Sequence, residues 1–372
     1  MDDYSPPDVT DSNGLISNIR SLQECKSLEE LKTRTSVIRN IALSVSNASK
    51  GYINVPGSED IKLNIETLLK ELDQICNSFT LDRGIYYARR LIKSLEGRKT
   101  TSFSDINLLR WKDYDSILTD SFWNFRRRDN QGSHRAWYWG NFVPQIPNQL
   151  LQRFTKRGEW VLDPFTGSGT TLIECKRLGR NGIGIELNPE IAGKSELVVS
   201  TEENPFNVRI KLLNGDSSTI SRKEIFGDLP VRSAQFMILH PPYSDIIKFS
   251  NDSRDLSNSL TTEDFLRSFA NVVRNVKGFL DDNRYMALVI GDKYSHGEWI
   301  PLGFLAMSEI LKLEFTLKSI IVKNFEDTRG KMNLSELWRY RALLGGYYVF
   351  KHEYIFIFKK HRQRKHPSSQ DG

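Results

Sequence analysis

One stretch near the middle of the chain limits the possible folds more than any other. A short apolar strand, Glu159–Leu162, leads into a loop with two glycines, and a helical pattern follows over Leu172–Leu178. A second strand, Gly182–Glu186, comes directly after that helix. This order is typical of the unit that builds open parallel sheets with helices on both faces. The chain is therefore predicted to contain an α/β domain.

Further strand patterns extend this domain toward the C-terminus. They lie at Ile210–Leu213, Gln235–Leu239, Tyr285–Ile290, Phe315–Lys323 and Tyr354–Phe358, and a helical period over Phe265–Leu280 separates two of them. The last two strands have no full crossover helix between them. They predict an antiparallel hairpin at one edge of an otherwise parallel, doubly wound sheet.

The first hundred residues have a different pattern. Residues 1–13 are rich in Asp, Ser and Pro and are expected to be disordered. Apolar residues then recur at three- and four-residue spacing up to Glu96, which predicts a small helical module with a turn at Tyr52–Glu59. We divide the chain into a disordered tail (1–13), a helical module of unknown role (14–110), the α/β domain (111–360) and a basic tail (361–372).

Composition excludes several classes of protein. The three cysteines, Cys25, Cys76 and Cys175, are odd in number and have no metal-ligand spacing, so we expect no disulfide scaffold and no metal site. No apolar run approaches the about 20 residues that span a bilayer, and the N-terminus lacks a signal segment, which favours a cytoplasmic location without membrane contact. The net charge of +6 fits either a polyanionic partner or a merely basic surface.

The glycine loop, Asp163–Thr171, is a candidate ligand site. Gly167 and Gly169 let the backbone approach a ligand closely, and no Lys follows them, so this is not a Walker A phosphate loop. Glu186 ends the next strand, where a carboxylate can bind both hydroxyls of a ribose. Asp216 follows the strand after that and can accept a hydrogen bond from an adenine amino group. In this order the three features describe a site for S-adenosylmethionine.

A second motif, His240-Pro241-Pro242-Tyr243, follows the strand Gln235–Leu239. Together with DPFTGSGTT at residues 163–171, it resembles the motifs of the DNA amino-methyltransferases, which modify the exocyclic amine of adenine or cytosine. The resemblance covers roughly residues 138–360. It implies a Rossmann-like class I methyltransferase fold, S-adenosylmethionine as cofactor and DNA as partner.

The resemblance also implies roles for individual residues. The segment Trp139–Pro147 is similar to the one that lines the methionine side of the cofactor pocket in the family, although chain packing explains its Phe and Pro equally well. Glu186 would bind the ribose, and Asp216 the adenine. The remaining implied cofactor contacts are Phe142, Pro144, Asp163, Pro164, Phe165, Thr166, Gly167, Ser168, Gly169 and Thr170.

The tetrapeptide is the implied catalytic motif. The lone pair of a base amino group is delocalised into the ring, so hydrogen-bond acceptors must localise it. In the family these are the side chain of the first residue, which would be His240, and the carbonyl of Pro241. Pro242 would stiffen the loop, and Tyr243 would stack on a base that has left the duplex. The family usually has Asp, Asn or Ser at the first position. A neutral imidazole can accept a hydrogen bond and a protonated one cannot. The target base stays open, and so does the alternative that this histidine only ends a strand.

Two segments combine basic and aromatic residues, around 110–147 and 326–346, and can contact phosphates and stack on bases. Ordinary solvated surface is the alternative for each, as it is for Asp245 and Lys248 after the second motif. The candidate nucleic-acid contacts are Arg126, Arg127, Arg128, Lys248, Arg329, Lys331, Arg339 and Arg341. A restriction endonuclease or another defence-system protein is the expected protein partner. An RNA base methyltransferase and a non-catalytic module that binds cofactor and nucleic acid are the alternative functions.

Overall fold

The structure is a computed structural model that describes residues 12–49, 51–54, 62–135, 137–243, 248–295, 297–324 and 335–361. The chain forms two compact units, one of residues 1–102 and 106–117, the other of residues 103–105 and 118–372. The first unit extends beyond residue 110 because Asp113 accepts a hydrogen bond from the backbone N–H of Asn64 at 3.2 Å. Most of the two predicted tails lies outside the described residues, although a helix begins at Ser12.

The first unit is helical around one apolar core, to which Leu31, Leu68 and Leu91 belong. Its helices are α1 (Ser12–Ser21), α2 (Leu28–Ser49), α3 (Ile65–Cys76) and α4 (Leu81–Glu96). The predicted turn at residues 52–59 is partly wrong. Tyr52–Asn54 (β1) is a strand that pairs antiparallel with Lys62–Asn64 (β2), and Ile53 and Leu63 are buried opposite each other in this ladder. Residues 55–61 lie outside the described residues.

The second unit alternates strands and helices, as predicted. Its strands are β3 (Phe122–Trp123), β4 (Trp160–Asp163), β5 (Asn181–Glu186), β6 (Ile210–Asn214), β7 (Ala234–Leu239), β8 (Leu280–Ile290), β9 (Lys293–Ser295), β10 (Glu298–Ile300), β11 (Phe315–Asn324) and β12 (His352–Lys360). Its helices are α5 (Gln145–Phe154), α6 (Thr170–Leu178), α7 (Pro189–Ser200), α8 (Arg222–Phe226), α9 (Thr262–Val276), α10 (Leu302–Leu311) and α11 (Ser335–Gly345). None of the described helices is both long and apolar enough to cross a bilayer.

Eight of these strands form one sheet in the order β3-β11-β12-β8-β7-β4-β5-β6. The strands from β4 to β8 are parallel, and β12 runs antiparallel to both of its neighbours. The predicted mostly parallel sheet and the antiparallel pairing of its last two strands are confirmed. The expected hairpin is wrong, because helix α11 lies between β11 and β12. The pair does not form the outermost edge either, because the two-residue strand β3 pairs with β11 and buries Trp123 there.

The sheet is covered on both faces, which alternation along β7 shows directly. Met237 and Leu239 belong to the core that contains Phe265 of α9, whereas Phe236 and Ile238 belong to the core that contains Ile146 of α5. The strand order reverses between β4 and β7, since β5 and β6 lie on one side of β4 and β8 lies on the other side of β7. Ligands of open α/β sheets bind at such a reversal, beyond the carboxyl ends of the strands.

Candidate active site

A pocket lies at the carboxyl ends of β4, β5, β6 and β7, and it encloses about 930 Å³ when the space open to solvent is included. Both sequence motifs contribute to its walls. The predicted site residues that line it are Phe142, Pro164, Phe165, Thr166, Gly167, Ser168, Thr170, Glu186, Asp216, His240, Pro241 and Pro242. The structure therefore brings most of the predicted cofactor and catalytic residues together in one cavity.

Three of the predicted cofactor contacts lie outside the pocket lining, and two of them, Asp163 and Gly169, shape the glycine loop instead. The Asp163 carboxyl group is buried and accepts hydrogen bonds from the Phe165 backbone N–H at 3.0 Å and the Thr171 hydroxyl at 2.6 Å. Burial raises the pKa of Asp163 to about 7, against the opposing effect of these two donors. Gly169 caps α6 with a φ of 81°, and Pro144 is buried just before α5.

Glu186 joins the end of β5 to the glycine loop. Its Oε2 accepts a hydrogen bond from the Gly167 backbone N–H at 3.0 Å, and its Oε1 accepts one from the Asn188 backbone N–H at 2.9 Å. Burial raises the pKa of this carboxyl group. A Cβ on Gly167, where φ is 51°, would lie 3.0 Å from the Tyr138 ring. The loop therefore needs glycine at this position.

Several pocket residues were not predicted from the sequence, and some of them cover the glycine loop. Tyr138 stacks on Phe249 with ring centroids 5.6 Å apart, and both rings line the pocket. The Asn141 side-chain amide donates to the Ser168 hydroxyl at 2.9 Å. Asn141 and Tyr138 lie in or beside the segment before the loop that the sequence did single out, whereas Phe249 comes from the chain after the second motif.

The charge of the lining fits a cationic ligand. Three carboxyl groups line the pocket, those of Glu186, Asp216 and Asp255, and Arg254 is the basic residue among the described lining residues. Asp216 accepts hydrogen bonds from the Ser218 backbone N–H at 2.8 Å and the Ser218 hydroxyl at 2.7 Å, which fixes its direction. S-adenosylmethionine carries a sulfonium charge, so these residues suit it electrostatically.

His240 ends β7 at the pocket wall, with its ring 4.7 Å from the Phe142 ring. Its Nε2 lies 3.1 Å from the Tyr243 hydroxyl, and that hydroxyl donates to Glu353 of β12 at 2.9 Å. Burial lowers the pKa of His240 to about 4, so the imidazole is neutral at physiological pH. Tyr243 does not line the pocket, because its ring packs near Gly291 and its hydroxyl reaches Glu353. Stacking of the ring on a base stays a prediction.

The family model described as DNA methylase matches residues 82–196 and 234–371. The chain belongs to this DNA methylase family. Membership confirms the family predicted from the two motifs, and with it S-adenosylmethionine as the cofactor. The fold, the glycine loop and the pocket charge agree with that cofactor.

Curated relatives of this chain are proteins named type II methyltransferases, and each is matched over a short stretch. M.MjaII of Methanocaldococcus jannaschii is 46% identical over 52 residues, which is 14% of this chain and 10% of that protein. M.XycI of Xanthomonas campestris pv. cyanopsidis is 39% identical over 70 residues, 19% of this chain and 22% of that protein. M.HpaI of Haemophilus parainfluenzae is 36% identical over 102 residues, 26% of this chain and 30% of that protein. The matched stretches therefore span less than a third of each relative.

The predicted nucleic-acid residues of the chain differ in exposure. Arg126, Arg127 and Lys248 are exposed, as are Arg339 and Arg341 on α11. Arg128 is partly buried and donates to the Phe142 carbonyl at 2.9 Å, so it holds the pocket wall. Contact of the exposed residues with DNA stays a prediction. Arg329, Lys331 and Asp245 lie outside the described residues.

Proposed function

We propose that this DNA methylase transfers a methyl group from S-adenosylmethionine to the exocyclic amino group of an adenine or cytosine in DNA. The observation that carries the proposal is the position of His240. A neutral imidazole at the end of β7 shares one pocket with Glu186 and the glycine loop. A hydrogen-bond acceptor for an amino group therefore lies in the same cavity as the residues that suit the methyl donor.

The amino group of a base is a poor nucleophile because its lone pair is shared with the ring. Acceptors that bind its two hydrogens draw the lone pair back to nitrogen and fix its direction. His240 would provide one acceptor through its unprotonated ring nitrogen, and the Pro241 carbonyl would provide the other. Pro241 and Pro242 have no backbone N–H, so neither donates into the site. Orientation of the amino group is the main contribution of these residues.

The other wall of the pocket would hold the cofactor, which supplies an electrophilic methyl group when bound. Glu186 is buried and held by two backbone N–H groups, so its oxygens are fixed acceptors for the ribose hydroxyls. Asp216 would accept from the adenine amino group. The loop at residues 163–170 would pass close to the amino-acid part, since residues 164–168 and Thr170 line the pocket.

A base inside a duplex cannot reach this pocket, so the target nucleotide would leave the stack. The exposed cations Arg126, Arg127, Lys248, Arg339 and Arg341 would contact the phosphates around it. The family description, DNA methylase, supports DNA as the substrate, and a restriction endonuclease stays a predicted companion. The flipped nucleotide, the phosphate contacts and the DNA substrate all require that this chain transfers a methyl group to a nucleic acid.

The test is transfer of labelled methyl from S-adenosylmethionine to duplex DNA, single-stranded DNA and total RNA, followed by nucleoside analysis of the products. Label in methylated adenine or methylated cytosine of DNA is the expected result, and it also identifies the base. Label only in RNA would replace DNA by RNA as the substrate. Bound cofactor with no label in any nucleic acid would contradict the proposal and favour a non-catalytic binding module.

A further inference from the structure

A chain of polar side chains runs from His240 into the sheet. The His240 Nε2 lies 3.1 Å from the Tyr243 hydroxyl oxygen, and that oxygen lies 2.9 Å from Oε2 of Glu353. Glu353 forms an ion pair of 3.2 Å with Lys323 on the neighbouring strand β11, and these two side chains are only 3% and 5% exposed. These hydrogen-bonded side chains thus connect the end of β7 with two buried charged groups, Glu353 on β12 and Lys323 on β11.

The number of donor hydrogens in this row of hydrogen-bonded side chains fixes which nitrogen of His240 carries the proton. A carboxylate has only acceptor oxygens, so Glu353 takes the single proton of the Tyr243 hydroxyl. The phenol oxygen can then only accept from His240. A neutral imidazole has one N–H, and that N–H must be on Nε2. Nδ1 is left as the one ring nitrogen with a free lone pair.

We infer that Tyr243 and Glu353 are positioning residues that set the tautomer of His240 and so leave Nδ1 as its acceptor for the target amino group. The inference rests on the proposed function for the identity of that amino group. It gives the Tyr243 hydroxyl a role inside the sheet. The opposite tautomer would present an N–H to the amino hydrogens and would repel them.

The surroundings of His240 agree with this role. Glu353 and Lys323 are the charged groups that act on its ring, and they act in opposite directions, so burial decides its charge. The Phe142 ring packs on it from the segment before the glycine loop. Burial and the neighbouring Glu353 carboxylate raise the pKa of the Tyr243 phenol well above its ordinary value, so the phenol keeps its proton. A buried ion pair is weak evidence for stability by itself, since apolar side chains often fill such a site as well.

The same strand offers a matched control. Tyr354, which follows Glu353, also bridges a histidine and a carboxylate. Its hydroxyl lies 3.0 Å from Nε2 of His352 and donates to Asp292 at 3.3 Å. None of His352, Tyr354 and Asp292 is among the described residues that line the pocket. Tyr354→Phe therefore removes a comparable hydroxyl without touching His240.

The experiment compares Tyr243→Phe and Glu353→Gln with Tyr354→Phe in the full chain. We expect kcat for methyl transfer to fall about 10- to 100-fold in the first two variants. This is the effect that the loss of one hydrogen bond to a charged group would have on the rate. The Kd for S-adenosylmethionine should stay at the wild-type value, which shows that the pocket is folded. Tyr354→Phe should keep the wild-type kcat. Wild-type kcat in both Tyr243→Phe and Glu353→Gln would overturn the inference.

A second readout does not depend on activity. Nitrogen NMR of the His240 ring, assigned with His240→Ala, distinguishes a proton on Nε2 from one on Nδ1. The wild-type ring should carry its proton on Nε2, and Tyr243→Phe should mix the two tautomers. A wild-type ring protonated on Nδ1 would overturn the inference even if methyl transfer occurs. If the wild-type chain transfers no methyl group to any nucleic acid, the proposed function fails, and the NMR result still decides the tautomer.

Discussion

The buried carboxyl group of Asp163 makes the stability of this protein depend on pH. Its pKa is raised to about 7 in the folded chain, against an ordinary value of 3.8, because burial disfavours the charged form. Between these two values the folded state binds a proton that the unfolded state has lost. The free energy of unfolding therefore falls as pH rises from about 4 to about 7. Above pH 7 this contribution stays constant.

Asp163→Asn removes the ionisation and keeps the shape. An amide oxygen can still accept from the Phe165 backbone N–H, and the amide nitrogen can donate to the Thr171 hydroxyl. Each pH unit between the two pKa values corresponds to about 1.4 kcal/mol. The stability of the variant relative to wild type should thus rise by about 4 kcal/mol, an order-of-magnitude figure, between pH 4 and pH 7.

Urea unfolding of both proteins at a series of pH values, followed by a signal from the α/β unit, measures this difference. The companion variant Thr171→Val removes a donor that favours the carboxylate, which raises the pKa of Asp163 further, so its stability should continue to fall above pH 7, where that of wild type is constant. A difference between Asp163→Asn and wild type that does not change with pH would refute the reasoning, because it would mean that burial does not shift this group.

Three further predictions concern the pocket and the surface. Glu186→Ala should weaken S-adenosylmethionine binding about 10- to 100-fold in calorimetry, since it removes a charged acceptor. The control Glu190→Ala, at an exposed residue, should bind the cofactor like wild type. Equal affinities of the two variants would contradict the role of Glu186 in binding the ribose. Gly169→Ala should cost about 1–2 kcal/mol in urea unfolding, because φ is 81° and the new Cβ would lie 2.5 Å from Val199. The helical Gly193→Ala, with open space at its Cβ, should cost nothing, and a similar loss in both would refute the steric argument. The logarithm of the DNA-binding constant should fall less steeply with the logarithm of salt concentration, by about 2 in slope, when Arg126 and Arg127 are both changed to Ala. The control Arg274→Ala, at another exposed arginine, should leave this slope unchanged. An unchanged slope in the double variant would mean that neither residue contacts DNA.

Much of the α/β unit could be predicted because its signals are local. An apolar run, two glycines and an acidic residue at the end of the next strand are all within residues 159–186, and each is a consequence of chain geometry at that place. The same local pattern could not distinguish residues that face the pocket from residues that shape the loop. Asp163 and Gly169 belong to the motif but act on the loop backbone, and side-chain direction in a tight turn depends on the fold around it.

Contacts between distant parts of the chain had no such signal. Glu353 is 110 residues from Tyr243, and nothing in the alternation of β12 marks it as a hydrogen-bond partner. Asp255 enters the pocket from a polar segment that reads as an ordinary turn. It lines the pocket because Ser250 and Ser257 hold its carboxyl group at 2.7 and 2.9 Å.

The most direct test of the central claim is to measure methyl transfer to DNA and S-adenosylmethionine binding for His240→Ala beside wild type. Our account predicts that transfer falls about 100- to 1,000-fold, as for loss of another preorganised hydrogen-bonding group, while cofactor affinity is unchanged. His240→Asn, which restores an acceptor common in the family, should recover part of the rate. Wild-type turnover in His240→Ala would contradict the claim that this imidazole directs the target amino group.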